Sequence, residues 1–360
     1  MIFKKTFCML SAFMLAGMLV LTGCQNAETN INSENEIAVD TITEVSSEGT
    51  VSGEEVITPG EYEEKVFDRN LTKGKFALYV FRADNGYVND VLSQHSGDSM
   101  LIITPDGKTM LIDTNSPTNS SIIVDSLQKL GIKKLDYLVF THQHLDHIGG
   151  YSIVFRYMKI GQVITNAHEY TGSNTYTDIH DLMERNEIPC TYMYEGDSMM
   201  LGKEVKIDFY NPPKDFDYTG GTEAQNNGSL LMKMTYKDAS FLFGGDLYAS
   251  QEKIILEKHA DELNVDVVKM NHHGDATSNT KDWVKAVSPK ICFAQMSAVI
   301  NEIIVGRYQV QGATMLHPAL DGPFVIYTDG DGTYDIQVSQ ERWVLDFGEI
   351  STEKGHLTVK

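Results

Sequence analysis

Short apolar runs separated by turn residues predict a series of strands and helices between residues 71 and 345. Residues 77–81, 100–103 and 110–112 are typical of strands, and the Pro105-Asp106-Gly107 turn between the last two favours a hairpin. Further strands are predicted at residues 135–140, 205–210, 230–236, 241–243 and 265–270, and helices at residues 120–130, 175–185 and 250–259. Hairpins mixed with helices predict a layered α/β or α+β body, with sheets inside and helices outside.

The first 24 residues follow a different pattern. Lys4 and Lys5 precede an apolar run over residues 7–21, which is the layout of a secretory signal and is short for a membrane span of about 20 residues. The Leu-Thr-Gly-Cys sequence that ends at Cys24 resembles the lipobox of bacterial lipoproteins. This resemblance implies cleavage before Cys24, acylation of its thiol and a location on the outer face of the cell membrane. An uncleaved membrane anchor is the alternative, but the polar residues that begin at Gln25 favour the signal.

Charge separates a linker from the body. Residues 25–70 carry twelve Asp or Glu against Lys65 and Arg69 and lack sustained periodicity, so we expect a disordered acidic linker. The formal net charge of the chain is −21, and roughly −13 of it falls on residues 71–360. Surfaces that bind nucleic acid carry clustered Lys and Arg, whereas the basic doublet Lys133-Lys134 stands isolated. Nucleic acid is therefore a poor fit as a partner, and no protein partner is implied.

Cysteine usage excludes a disulfide framework. If Cys8 leaves with the signal and Cys24 carries lipid, only Cys190 and Cys292 remain in the body. Whether these two residues pair stays open.

The strongest chemical signal directly follows the predicted strand at residues 135–140. Residues 141–150 have the sequence THQHLDHIGG, which places His142, His144, Asp146 and His147 within six residues. Imidazole nitrogens and carboxylate oxygens are zinc ligands, and a turn at a strand end can direct several of them to one point. The pattern favours a catalytic metal site over a solvated polar loop or a lone structural zinc site.

Two more clusters end predicted strands. The Gly-Gly-Asp sequence that ends at Asp246 could supply a carboxylate that bridges two cations, although an Asp here could instead cap the following helix. His272 and His273 follow residues 265–270, and adjacent residues of an extended chain point to opposite sides. We therefore assign His272 to metal and His273 to substrate, an order that a bend at Gly274 would reverse. His168 is a further candidate ligand, with an ordinary surface histidine as the alternative.

In this order, the clusters resemble the H-x-H-x-D-H loop and later ligands of the metallo-β-lactamase fold superfamily. The resemblance implies an αββα sandwich, with two central sheets flanked by helices, and two zinc ions per chain; iron or manganese are not excluded. The implied metal ligands are His142, His144, Asp146, His147, His168, Asp246 and His272. One zinc would be held by His142, His144 and His168 and the other by Asp146, His147 and His272, with Asp246 shared. A metal-bridging hydroxide would attack the substrate, with Asp146 and His273 as catalytic residues.

Within the superfamily, four motifs look like the branch that contains the competence DNA-uptake hydrolase domain and the pneumococcal phosphorylcholine esterase. They are Gly97-Asp98-Ser99, Leu111-Ile112-Asp113-Thr114, Asn226-Asn227-Gly228-Ser229-Leu230 and His272-His273-Gly274. The branch implies that Asn227 and His273 bind substrate. Asp275 stands where the branch usually has Ser, and the esterase's aromatic choline-binding repeats are absent.

These observations predict four segments: a lipoprotein signal peptide at residues 1–23, a lipidated linker at 24–70, a hydrolase domain at 71–345 and a C-terminal tail at 346–360. The predicted function is an exported, membrane-anchored dinuclear zinc hydrolase of a small-molecule or cell-surface ester, ranked first as a phosphodiester with a small head group. The alternatives are hydrolysis of lactones, thioesters or β-lactams, a DNA-uptake-type nuclease, and a non-catalytic lipoprotein that binds cell wall.

Overall fold

The predicted strands assemble into two mixed sheets in the computed structural model, which describes residues 59–82, 87–88, 91–92, 97–295, 301–340, 342 and 352–360. The strands of these residues are β1 (Phe76–Val80), β2 (Tyr87–Val88), β3 (Val91–Leu92), β4 (Met100–Ile103), β5 (Thr109–Ile112), β6 (Lys134–Phe140), β7 (Lys159–Thr165), β8 (Cys190–Tyr192), β9 (Ser198–Leu201), β10 (Val205–Asn211), β11 (Leu231–Tyr236), β12 (Ala239–Phe243), β13 (Val267–Lys269), β14 (Ile291–Phe293), β15 (Thr314–Leu316), β16 (Phe324–Thr328), β17 (Tyr334–Val338) and β18 (His356–Val359). The α-helices are α1 (Pro59–Val66), α2 (Ser120–Lys129), α3 (Leu145–Ile148), α4 (Tyr151–Tyr157), α5 (Asn174–Arg185), α6 (Gly221–Asn227), α7 (Ala249–His259), α8 (Lys281–Val287), α9 (Glu302–Val310) and α10 (Pro318–Asp321).

Each sheet combines an antiparallel part with a parallel part. The strand order of the first sheet is β18-β17-β16-β1-β4-β5-β6-β7-β8, and that of the second is β15-β14-β13-β12-β11-β10-β9. The strands from β5 to β8 are parallel, as are those from β12 to β15, and the other pairs in both sheets are antiparallel. The hairpin predicted around Pro105 joins β4 to β5.

Three apolar clusters hold four layers together. One lies between the sheets and contains residues of both, such as Ile102 and Phe241. A second packs the other face of the first sheet against helices, with Leu127 of α2 among its members. The third packs the second sheet against α7, α8 and α9, with Trp283 of α8 fully buried. The predicted fold class, an αββα sandwich with two central sheets, is confirmed.

The folded body extends beyond the limits of residues 71 and 345. Helix α1 lies within the predicted linker, and Val66 and Phe67 at its end are buried in the second cluster. Strand β18 lies within the predicted C-terminal tail and pairs with β17. Neither segment has a strong apolar pattern of its own, since half of the residues of α1 are charged and the residues of edge strand β18 are partly buried or exposed. The predicted signal, Cys24 and residues 25–58 of the predicted linker lie outside the described residues.

The described residues show the state of two cysteines and the character of the helices. Cys190 and Cys292 are both free thiols and do not pair. In the same part of the chain, no helix has the length and apolar character needed to cross a membrane.

Candidate metal centre

The polar clusters meet at one edge of the sandwich because they follow the carboxyl ends of parallel strands. Ligand sites of α/β sheets form at this edge, where the loops leave the strands. From the first sheet, β5 leads to Asp113, β6 to the loop from His142 to His147, and β7 to His168. From the second sheet, β12 leads to Asp246 and β13 to His272 and His273.

A first group of possible metal ligands consists of His142, His144 and Asp246, each of which offers one atom within 4.8 Å of the others. The Nε2 atom of His142 lies 3.0 Å from Nδ1 of His144 and 3.8 Å from Oδ2 of Asp246. Two atoms bound to the same tetrahedral zinc lie about 3.3 Å apart, given zinc–ligand distances near 2.0–2.1 Å. The spacing therefore suits one cation.

A second group surrounds the same oxygen of Asp246. Its Oδ2 lies 3.1 Å from Nε2 of His147 and 3.3 Å from Nε2 of His273. Asp146 completes the group, since its Oδ2 lies 3.2 Å from Nε2 of His273 and 3.8 Å from Nε2 of His147. These distances again match the edges of a zinc tetrahedron, and two nitrogens with two carboxylate oxygens form a suitable ligand set.

Two buried carboxylates orient the imidazoles of the second group. Nδ1 of His147 donates to Oδ2 of Asp113 over 2.8 Å, and Asp113 also accepts from the backbone and hydroxyl of Thr141. Nδ1 of His273 donates to Oδ1 of Asp98 over 3.0 Å. Both contacts place the ring proton on Nδ1 and leave Nε2 free toward the centre, which is the usual arrangement behind a histidine that binds metal.

The structure places His273, and not His272, among the atoms of the second group, the opposite of the order expected from the sequence. His273 is buried and belongs to the second group, whereas the side chain of His272 is 22% exposed, with Nε2 3.9 Å from Oδ2 of Asp246. The physical reason is backbone conformation, because φ is 46° at His272 and 54° at His273. The chain has left its extended strand, so the alternation of sides no longer applies.

The buried charges explain which imidazoles hold protons when no cation is bound. Burial lowers the pKa of His142 well below its usual value, and the nearby charge of His147 lowers it further. Burial also opposes the charge of His147 and His273, but nearby carboxylates, with Asp246 the strongest, raise the pKa of both well above the ordinary value. The pKa of Asp246 is held well below its usual value, against the effect of burial, chiefly by those two imidazoles. A cation would take the place of these protons, because metal binding requires neutral imidazole.

The second oxygen of Asp246, Oδ1, faces away from the imidazoles, toward Nζ of Lys269 at 3.5 Å. This oxygen is buried and accepts no hydrogen bond from the described residues. The preceding Gly244-Gly245 turn allows this placement, because φ is 53° at Gly245 and a Cβ on Gly244 would lie 2.4 Å from the side chain of Asn271. The predicted alternative, an Asp that caps the next helix, does not apply, since Tyr248 occupies the N-cap of α7.

The family model of the metallo-beta-lactamase superfamily matches residues 93–291, more than half of the 360-residue chain. The chain belongs to this superfamily. It is 23% identical over 234 residues to ComE operon protein 3 of Bacillus subtilis strain 168, which covers 60% of this chain and 29% of that protein. It is 27% identical over 237 residues to competence protein ComA of Neisseria gonorrhoeae, which covers 63% of this chain and 30% of that protein.

The chain thus spans less than a third of the length of these curated relatives. Among solved structures, the metallo-beta-lactamase fold protein YhfI from Bacillus subtilis aligns with a TM-score of 0.41 and 10% identity, over 68% of this chain and 96% of that one. The match to the family model gives the chain the metal-dependent hydrolase fold of the metallo-beta-lactamase superfamily, with candidate metal ligands at one edge.

In this superfamily member, His168 lies beside the first group without joining it. Its Nδ1 lies 3.1 Å from Oε1 of Gln143, whose amide nitrogen donates to Asn166 over 2.5 Å. In that orientation, Oε1 of Gln143 accepts the proton of Nδ1 of His168. The lone pair of the His168 ring is then on Nε2, the nitrogen that could bind a metal. The ring stacks on Tyr218 with a centroid distance of 4.4 Å, and the charge of His144 contributes, after burial, to lowering its pKa. The role of His168 as a ligand stays a prediction.

The amide of Asn227 holds the start of α7. Its Oδ1 accepts from the backbone of Tyr248 over 3.0 Å, and its Nδ2 donates to Oγ of Ser250 over 3.0 Å. Its predicted role in substrate binding stays a prediction. Burial lowers the pKa of His144, and the side chain of the neighbouring Asn226 opposes this effect as a hydrogen-bond partner, so Asn226 is a second candidate residue at the centre.

Sequence reasoning missed the roles of Asp98, Asp113 and Lys269. The two aspartates belong to motifs that carried the family resemblance, but only the structure shows that they hold His273 and His147. Asp113 could have been found from its position, because it directly follows β5, the strand that pairs with β6. Lys269 gave no signal, because a lysine at the end of an apolar run ordinarily extends into solvent.

Proposed function

We propose that this chain is a dinuclear zinc hydrolase that cleaves a phosphodiester with a small head group. The observation that carries the proposal is the convergence of two ligand groups on the same oxygen of Asp246. Hydrolytic sites with two metals place them about 3.5–4 Å apart, a spacing that a shared carboxylate can hold. The first cation would be held by His142 and His144, with His168 beside it, and the second by Asp146, His147 and His273, with Asp246 shared.

When bound, two such cations acidify water and neutralise charge on a phosphoryl oxygen. Asp146 is placed to orient the attacking water as a hydrogen-bond acceptor, since His147 and His273 hold its pKa low against the effect of burial and so keep the carboxylate ionised. His272 is placed to protonate the leaving oxygen, because it is partly exposed and Thr277 fixes its Nδ1 over 2.6 Å. Burial lowers the pKa of His272, and the negative charge of a bound phosphodiester would oppose that effect. We propose His272 for this catalytic role in place of His273, the residue predicted from the sequence.

The surroundings of the centre favour a small substrate over a polyanion. Tyr248 packs on His272 with a centroid distance of 4.8 Å, and Tyr218 packs on His168. Asp146 has a side chain that is 36% exposed, and Asp275 is partly exposed just beyond His273. Aromatic rings with carboxylates attract an apolar or cationic head group, while the acidic net charge repels a chain of phosphates.

Metal analysis and a substrate panel with full-length protein purified in detergent test the proposal. We expect about two zinc per chain and fastest turnover of bis-p-nitrophenyl phosphate or p-nitrophenyl phosphorylcholine. Faster turnover of a lactone, a thioester, a β-lactam or single-stranded DNA would replace the proposed substrate class with that one. Iron or manganese in both positions would correct the metal, and absence of both metal and turnover would favour a cell-wall-binding lipoprotein.

We also propose that the chain is exported and tethered to the outer face of the membrane by lipid on Cys24. The support is the sequence of the first 24 residues, with its basic start, its apolar run and its cysteine after small residues. Cys24→Ser is expected to move the protein from the membrane fraction to an unprocessed or soluble form and to abolish labelling by a fatty acid analogue. Cys8→Ser is the control, and unchanged labelling of Cys24→Ser would contradict the proposal.

A further inference from the structure

Lys269 is a fully buried lysine at the end of β13, and the proposed mechanism gives it no task. Its ammonium group contacts three oxygens from two other segments. Nζ donates to the backbone oxygen of Gly245 over 2.9 Å, forms a close ion pair with Oδ2 of Asp98, and lies 3.5 Å from Oδ1 of Asp246. One hydrogen bond to a backbone oxygen and two carboxylate charges therefore surround the ammonium group. Such a group is retained in an interior only where charges and hydrogen bonds compensate its desolvation.

The ion pair between Lys269 and Asp98 leads directly to the second ligand group. The other oxygen of Asp98 accepts from Nδ1 of His273, and the backbone N–H of Asp98 donates to the carbonyl of Asp146 over 3.2 Å. A short chain of contacts therefore runs from the lysine through Asp98 to one histidine of the second group. Among the described residues, Lys269 reaches the first group through Asp246, over the longer distance of 3.5 Å between Nζ and Oδ1.

The two oxygens of Asp246 face different partners. The imidazoles of His142, His147 and His273 all approach Oδ2, at 3.8, 3.1 and 3.3 Å. Oδ1 faces Lys269 instead. The fixed positive charge on that side keeps Oδ2 turned toward both ligand groups, because rotation of the carboxylate would lose the attraction between Oδ1 and Nζ.

We infer that Lys269 is a positioning residue for the second cation: it holds Asp98 against His273 and keeps Oδ2 of Asp246 directed at the ligand groups. This inference rests on the proposed function, since it requires two cations. Loss of the ammonium would leave Asp98 buried without its counter-ion and free to withdraw from His273. Since partners behind a metal ligand typically contribute 10–100-fold in metal affinity, the second position should weaken by about that factor. The first position should weaken less, because it depends on Lys269 through the 3.5 Å contact with Asp246 and not through the close ion pair with Asp98.

Stepwise zinc titration of the full-length protein in competition with a chromophoric chelator tests the inference. Wild type is expected to bind two zinc, whereas Lys269→Met should keep the tighter first step and weaken the second by about 10–100-fold. Lys233→Met is the matched control, because Lys233 is a partly buried lysine of β11 whose Nζ donates to backbone oxygens of residues 262 and 264. It should bind zinc as wild type does. Cobalt(II) absorption, recorded at one and two equivalents, reports which position changes.

Asp98→Asn provides the second variant if Lys269→Met fails to fold, and the same selective loss is expected. Two zinc bound with wild-type affinity by either folded variant would overturn the inference while leaving the proposed function intact. Equal weakening of both steps would also overturn it, because it would show a general structural role for Lys269. If wild type binds no zinc, iron or manganese, both the proposed function and this inference fail.

Discussion

Asp246→Ala is expected to lower kcat/KM for bis-p-nitrophenyl phosphate by more than about 10³-fold, because it removes the oxygen that both ligand groups share. Zinc content should fall from about two per chain to less than one. His142→Ala should lower kcat/KM by a comparable factor, but with loss of the first cation only. Steady-state kinetics with metal analysis of the same protein samples measures both effects.

Asp208→Ala is the control for Asp246→Ala, since Asp208 lies on β10 of the same sheet and pairs with Lys206 near the surface. It should keep both zinc and full activity. Circular dichroism and thermal unfolding establish that each variant is folded. Full activity in folded Asp246→Ala or folded His142→Ala would contradict the two-metal proposal.

The fold could be predicted from the chain because its central strands are unusually uniform. The strands β1, β4 and β5 are buried at every position, so that apolar runs stand out between turns. The segments that sequence reasoning misplaced are those with few buried residues. Strand β18 is only partly buried at three of four positions, and its place in the sheet depends on backbone pairing with β17, which leaves no side-chain pattern.

The part of the candidate site that could be predicted consists of ligands that lie close together in the sequence or directly follow a strand. The loop from His142 to His147 carries four candidate ligands in six residues, and Asp246 follows a strand directly. The groups behind these ligands could not be found this way, because Asp98 and His273 are 175 residues apart. Such a contact depends on how two sheets pack, which the periodicity of single strands does not report.

The predicted placement of His272 and His273 differs from the observed one for another reason. An extended strand alternates its side chains, and the prediction assumed that this alternation continued to His273. In the structure, both residues have positive φ, a conformation that non-glycine residues seldom adopt and that is held here by surrounding contacts. Glu252 of α7 supplies three of these contacts, since it accepts from the side chain of Asn271 and from the backbone of residues 279 and 280. The sequence analysis considered a bend at Gly274, whereas the chain already bends at His272, two residues earlier.

The exchange of roles leads to opposite expectations for the two histidines. His273→Ala should lose the second zinc and lower kcat by more than about 10²-fold for every phosphodiester, because Nε2 of His273 lies among the ligand atoms of the second group. His272→Ala should keep both zinc. Its defect should depend on the leaving group, at about 10²–10⁴-fold for a phenyl ester and far less for a p-nitrophenyl ester, which departs without a proton.

Metal analysis and kcat for matched phenyl and p-nitrophenyl esters separate the two outcomes. His259→Ala is the control, because His259 at the end of α7 contacts Glu195 and Glu262 and lies outside both ligand groups. The reverse pattern, with zinc lost from His272→Ala and retained by His273→Ala, would restore the order expected from an extended strand. An equal loss of kcat on both esters in His272→Ala would remove its role as proton donor, because a group that acts only on the leaving oxygen must discriminate between them.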